Sequence, residues 1–470
     1  MNDDTGFPLN REAPVEEHIA EIPSKSGPFF ERTDWQSFWV TTVIVLAVYL
    51  FTLSPEVGMW DTGIFATAAM YGGVPHPAGF PLWSIYAHLF TVLLPFSNIA
   101  WRVSVSSAVA GAMACGLIAL MVSRIGAMML EGLRNFQRLD AKAEKWLRII
   151  SGYAAGMAFG LDDCFWGRAL IPDPWPLSLL LFAATVCLLL RWRAAPEQPR
   201  HLYAALFVYA LALTNSQSFL AAALGVEFLI LSGSVVLGRD IFAMSTLLFG
   251  AALSAQYLKI LPDTLSVPTY FDHVNYLHYG AAILAVLTAI IFAIKTRGLF
   301  TKWKIVFWCG VFVALGLSFY FYVAIASSTN PPINWGYPRT VEGFFHVITR
   351  GQYERVIPVN NFSQYWEEVD LYWKIVFTDY GWLYLLPTAM PFLFLHRMRP
   401  SERNGIFGLV ALFLCTSFFL LAVLNPSVDK ASRELTRIFF APSHLILALW
   451  SGWGLILLGT MLARRDSAPR

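Results

Sequence analysis

The sequence predicts an all-α, polytopic transmembrane helix bundle, and three observations lead there. Hydrophobic residues make up 57% of the 470 and charged residues only 14%, where a soluble domain carries about 25% charged residues; the mean hydropathy is +0.55. Apolar runs recur along the chain at about the 20-residue length that a bilayer-crossing helix requires. Lys and Arg gather in alternate loops between these runs, as they do in the cytoplasmic loops of membrane proteins.

Residues 1–34 carry eight acidic and three basic side chains together with Pro8, Pro14, Pro23 and Pro28, and read as a flexible cytoplasmic tail. No basic region directly precedes the first apolar run, so that run reads as an uncleaved helix and not as a secretory signal. The runs near 37–54, 101–130, 149–165, 175–192, 201–217, 219–237, 241–260, 277–294, 303–327, 380–396, 405–424 and 438–463 give about twelve spans. The stretch 82–96 is short and bounded by Pro81 and Pro95, and is expected to lie at the interface.

If 82–96 does not cross, one side of the membrane receives Arg134 to Arg148, Arg191 to Arg200, Lys295 to Lys304, Arg397 to Arg403 and the tail 464–470. By the positive-inside bias that side is the cytoplasm. A single transmembrane domain, 35–463, then presents outer loops 55–100, 163–174, 328–379 and 425–437. Almost every unusual polar residue falls in those loops.

Several classes drop out at this stage. A net charge of +2 and the lack of a basic run with interleaved aromatics argue against nucleic acid as a partner. Cys115, Cys187, Cys309 and Cys415 lie inside apolar runs and Cys164 near the end of one, with no paired spacing for metal or redox work. No loop holds an Asp-x-Asp pair, so no metal and no cofactor is expected. Most of the spans are clean, with Glu227 the clearest exception, which disfavours a transporter or lipid flippase with a polar path at mid-span.

The chemistry-bearing segment is W-D-T-G followed by V-P-H-P-A-G-F-P, residues 60–63 and 74–81. Asp61 reads either as the N-cap of a short interfacial helix or as a general base beside a reacting carbon. His76 sits between prolines that forbid helix, and is either a packed loop histidine or a ligand-orienting one. Asp173, between Pro172 and Pro174, suits a helix N-cap or a second carboxylate at the same site. Trp335 and Tyr337, in N-P-P-I-N-W-G-Y-P-R, suit a stacking floor or interface anchors. Arg339 and Arg350 are cations on the side that has few, with the planar fork that phosphate recognition favours. Arg433 and Arg437 stand four apart before the last run, where pairing with Glu434 or Asp429 is the structural alternative.

The segment 60–81, with 330–353 as a second match, resembles a family of membrane proteins related to the protein O-mannosyltransferases, which includes the transmembrane enzyme that modifies IPT domains and whose members look like GT-C glycosyltransferases. The resemblance implies a polyprenyl-phosphate sugar as donor, a hydroxyl acceptor such as protein Ser/Thr, and direct displacement that inverts the anomeric centre. It implies Asp61 as base in the first outer loop, with Asp173 supporting it seven positions after Trp166 and two before Trp175. Arg339, Arg350, Arg433 and Arg437 become phosphate contacts, and Trp60, His76, Trp166, Trp175, Asn334 and Trp335 substrate contacts. Asn215 and Gln217 line the site. The sequence departs from the family in having Ile64 where a Glu is expected and Ser216 where a His is expected, which leaves a non-catalytic scaffold of the same fold as an alternative. The partners implied are the bilayer, the lipid-linked sugar and the acceptor, in a bacterial inner membrane or, in a eukaryote, the endoplasmic reticulum.

Overall fold

A computed structural model describes residues 28–58, 61–133, 139–257, 271–351, 358–359, 361–426 and 435–467. Helices dominate, and the described residues contain no β-strand. Among the described residues, six helical stretches are long and apolar enough to cross a bilayer: Arg32–Thr52, Ile99–Gly132, Trp175–Ala194, Trp303–Ser328, Pro400–Leu424 and Arg437–Ala463. The chain is an integral membrane protein of the all-α, polytopic kind.

The first half builds the frame. Helix α1 (Arg32–Thr52) packs on α4 (Ile99–Gly132) and α5 (Ala141–Gly160). Small residues let the backbones approach: a Cβ at Gly116 would lie 2.0 Å from Thr42 Oγ1, and one at Gly156 2.7 Å from the Cys115 carbonyl. At one end, buried Asp34 accepts hydrogen bonds from Ser123 (2.6 Å) and Arg148 (2.7 Å), and Glu31 pairs with Arg124 and Arg148. At the other end, the Tyr49 hydroxyl donates to the Gly160 carbonyl (2.6 Å) and the Ser54 N–H to the Leu170 carbonyl (3.2 Å). This second end collects the polar loops.

Between those loops run α2 (Thr62–Tyr71), α3 (Pro81–Leu93), α6 (Asp163–Ala169), α7 (Trp175–Ala194) and α8 (Arg200–Asn215). Helix α3 has 13 residues, about 20 Å of rise, against the roughly 30 Å of a hydrocarbon core. It is too short to span, as its bounding prolines imply. Its Trp83 is fully buried against α2 and α4, packed with Phe65 and Val103.

Helices α9 (Ala223–Gly233), α10 (Val235–Tyr257), α11 (Phe271–Thr296), α12 (Trp303–Leu317), α13 (Phe321–Ser328) and α14 (Val341–Ile348) continue the bundle. Glu227, the one mid-run carboxylate, accepts a hydrogen bond from Ser245.

The described helices match the expected spans only in part: six are long and apolar enough to cross, and the expected run 149–165 is divided between α5, which ends at Gly160, and α6, which begins at Asp163. The run 380–396 is not a continuous helix: α15 (Phe362–Leu385) begins well before it and kinks at Gly381, whose φ is +67°. Pro387 and Pro391 then fragment the remainder into short helical turns around α16 (Met390–Leu393). Hydropathy registers the apolar side chains but not the left-handed glycine or the missing amide donors. Helices α17 (Pro400–Leu414), α18 (Leu420–Leu424) and α19 (Ala441–Ser467) complete the bundle, and α19 packs against α4 and α5.

Candidate active site

The polar end encloses a cavity of about 380 Å³ lined by Asp61, His76, Arg168, Asp173, Trp175, Asn215, Gln217 and Arg350, among others. These residues come from several segments far apart in the chain, and each is placed by local chemistry.

Asp61 immediately precedes α2, where an N-cap would sit, yet its side chain makes no cap hydrogen bond. The carboxylate is therefore not consumed by the helix end. It is 55% exposed, and its Oδ2 lies 3.1 Å from Nε2 of His76, whose side chain is 16% exposed. The contact is close without the alignment of a hydrogen bond. His76 is held by rings, with Phe65 edge-on at 5.6 Å and Trp335 at 4.9 Å.

Trp335 reaches His76 because two loops far apart in sequence pair as a short β-like rung. The Val74 N–H donates to the Ile333 carbonyl (2.9 Å), and the Trp335 N–H donates to the Val74 carbonyl (3.0 Å). Gly73 allows this approach, since a Cβ there would lie 2.4 Å from the Ile333 oxygen.

Asp173 is engaged on both oxygens. Oδ1 accepts the Trp175 N–H (2.7 Å) at the start of α7, and Oδ2 pairs with Arg168 Nη1 at 3.0 Å. Burial pushes its carboxyl above the ordinary value, against the pull of Arg168 and the Trp175 amide. The cap role and the cavity role coincide in this residue. Arg168 was not singled out in the sequence; its signal is only its place five residues before Asp173 across an irregular turn.

Asn215 ends α8, and its Oδ1 accepts the Trp83 N–H at 3.1 Å. Its amide nitrogen, buried at the cavity, has no partner among the described residues. Gln217 is anchored by donating to the Ile348 carbonyl at 2.6 Å, which fastens the α8 break to the turn that carries Arg350. Arg350 itself adopts a left-handed backbone, φ +59°, a conformation uncommon for a residue with a side chain. Trp175 lines the cavity and meets Phe439 edge-to-face at 4.9 Å.

Other expected site residues stand elsewhere. Trp60 and Arg433 lie outside the described residues. Trp166 donates to Thr52 Oγ1 (3.2 Å) and does not line the cavity. Asn334 donates to the Ser327 carbonyl (3.3 Å) and Trp335 acts through His76, so neither lines it directly. Arg339 donates to Asn330 Oδ1 and sits over the Tyr337 ring, away from the cavity.

Arg437 is the clearest departure. It stands behind the wall formed by Ile438 and Phe439 and pairs with Asp379, with Asp163 at 3.4 Å and with Asp162 at 3.8 Å. These partners lie 58 to 275 residues away in sequence; the expected alternatives Asp429 and Glu434 lie outside the described residues.

The fold and site define a class: a polytopic membrane protein with an uncapped carboxylate and a guanidinium around one cavity at a polar end. Residues 61–235 match the family model described as Protein O-mannosyl-transferase TMEM260 N-terminal domain, and this segment is similar to proteins of that name. Mouse Protein O-mannosyl-transferase TMEM260 is 36% identical over 100 residues, which cover 20% of this chain and 14% of the relative. The Dictyostelium discoideum protein of the same name is 32% identical over 77 residues, 16% of this chain and 9% of the relative. The matched stretches thus span less than a sixth of either relative's length. No solved structure matches the chain.

Proposed function

We propose that the chain is an inverting hexosyltransferase of the O-mannosyltransferase type, moving mannose or a related hexose from a polyprenyl phosphate to a hydroxyl on the extracytoplasmic face. The observation that carries this reading is the Asp61 carboxylate, free of its helix cap, half exposed and beside His76 in a cavity that Arg350 also lines. The names of the relatives support the same chemistry.

In the proposed step Asp61 accepts the proton of the acceptor hydroxyl as its oxygen bonds to the anomeric carbon. The bond from that carbon to the phosphate oxygen breaks, and the phosphate leaves with the electron pair. Arg350 stabilises the departing anion, since a fixed guanidinium placed where charge develops lowers the barrier. His76, gripped by Phe65 and Trp335, holds the carboxylate in place. Asp173, tied to Arg168 and the Trp175 amide, positions the α6–α7 turn and sets the charge of the adjoining wall. Asn215 offers an amide donor to a sugar hydroxyl.

Turnover with a radiolabelled polyprenyl-phosphate hexose tests the reading. Asp61→Asn is expected to fold normally, because no cap bond is lost, and to lose roughly 10²- to 10⁴-fold in turnover, the range for general acid–base catalysis. Wild-type turnover in that variant removes Asp61 as the base. A folded wild-type protein inert toward every such donor and acceptor returns the scaffold reading.

A further inference from the structure

Behind the cavity wall, Asp162 at the start of α6, Asp379 on α15 and His444 on α19 converge. One ligand atom from each lies within 4.8 Å of the others. Their side chains are 1%, 3% and 2% exposed. Asp162 Oδ1, Asp379 Oδ2 and both ring nitrogens of His444 have no hydrogen-bond partner among the described residues. A buried polar atom without a hydrogen bond is costly, and here four of them share one spot, relieved among the described residues only by the long approaches of Arg437 to Asp162 Oδ1 (3.8 Å) and of His444 Nδ1 to Asp162 Oδ2 (4.0 Å).

The charges leave a matching deficit. Among the described residues, Asp162, Asp163 and Asp379 surround a single guanidinium, Arg437. With a neutral imidazole the group is two positive charges short, and solvent relieves only the exposed Asp163. Arg437 binds Asp379 through Oδ1, which leaves Oδ2 directed elsewhere. A ligating carboxylate fixed by an outer hydrogen bond is the usual support around a metal. The Tyr380 ring stands edge-on to His444 at 5.3 Å and restricts its orientation.

We propose that Asp162, Asp379 and His444 bind a divalent transition-metal ion of the zinc type. One imidazole and two carboxylates form a mixed nitrogen–oxygen set with room for a fourth, solvent-derived ligand. The few oxygens and the imidazole disfavour calcium or magnesium. The ion joins α6, α15 and α19 next to Arg437, and so fixes the backbone from which Ile438 and Phe439 close the cavity. The three ligands are 217 and 65 residues apart, which is why no sequence spacing betrays them. The site is structural, and its existence does not depend on the transferase reading.

The test reads metal and not turnover. Full-length protein in detergent is stripped with EDTA, then titrated with Zn²⁺ and, as a spectroscopic probe, with Co²⁺. About one ion per chain is expected, with Co²⁺ visible bands of low coordination number. His444→Ala and Asp379→Asn are each expected to weaken binding by at least about 100-fold, beyond the loss from disturbing an outer-shell group, while Asp61→Asn binds as wild type. Size-exclusion profiles identify any variant that fails to fold, and the wild-type titration stands independently of the variants. Absence of stoichiometric binding in the wild type overturns the proposal, because the two carboxylates then share protons in place of an ion. Binding that persists unchanged in folded His444→Ala and Asp379→Asn overturns it as well.

Discussion

Replacing Arg168 with Met is the most informative perturbation of the cavity. The guanidinium lies 3.0 Å from an Asp173 oxygen, and the two side chains are 17% and 3% exposed. At an effective dielectric of about 20, two unit charges at that distance attract by about 5 kcal/mol. Part of this attraction offsets desolvation, and the open cavity screens some of the remainder, so a coupling of about 2–4 kcal/mol is expected. Without Arg168 the buried Asp173 carboxyl, already raised by burial, rises further and holds its proton in the folded state. A raised carboxyl contributes stability that is full below its unfolded value and is lost as pH rises through its folded value. The gap between wild type and Arg168→Met should therefore widen from pH 5 to pH 8. The assay is thermal unfolding in detergent across that range, on wild type, Arg168→Met, Asp173→Asn and the double variant. Equal losses from Arg168→Met in the wild-type and Asp173→Asn backgrounds, or a gap that does not change with pH, would refute the reasoning.

Other outcomes follow from the same geometry. Arg350→Lys should cost roughly ten- to a hundredfold in donor use, since an ammonium lacks the bidentate fork and a charge-assisted hydrogen bond is worth about 1.5–3 kcal/mol; unchanged kinetics would remove Arg350 from the donor site. Gly73→Ala should destabilise the fold by about 1–3 kcal/mol through overpacking against the Ile333 carbonyl, visible as a lower Tm and a loss of His76–Trp335 contact. Single cysteines at 61, 339 and 350 should all react with an impermeant thiol reagent from the outer side, and labelling of position 61 from the cytoplasm would show that 82–96 crosses.

What the sequence disclosed depended on how local the cause was. Asp61 and His76 were legible because Pro75, Pro77 and the adjacent glycines break the pattern where the chemistry lies. The short α3 was legible from its two prolines. Arg168 was not, since its pairing with Asp173 is set by an irregular turn and has no periodic spacing. Arg437 was visible as an unusual cation, but its acidic partners come from the start of α6 and from α15, and only the fold brings them near. Asp379 lay in a stretch read as loop that is in fact helix, and His444 was a lone histidine inside an apolar run. The kink at Gly381 needed a positive φ that hydropathy does not encode.

The cavity wall also sets an order of events during synthesis. Asp61 lies near the start of the chain, whereas Leu435, Ile438 and Phe439 line the same cavity, and Leu435 follows Asp61 by 374 residues. At about 5–20 residues per second, the wall emerges roughly 20 to 75 s after the carboxylate. In about the second half of that interval the region 61–235 can be inserted in the bilayer, but its pocket stays open on one side and lacks Arg350 until residue 350 has been made. A nascent chain halted before residue 350 therefore exposes Asp61 without the cation proposed to act with it, and activity would arise only on chains whose insertion has run to the final helix.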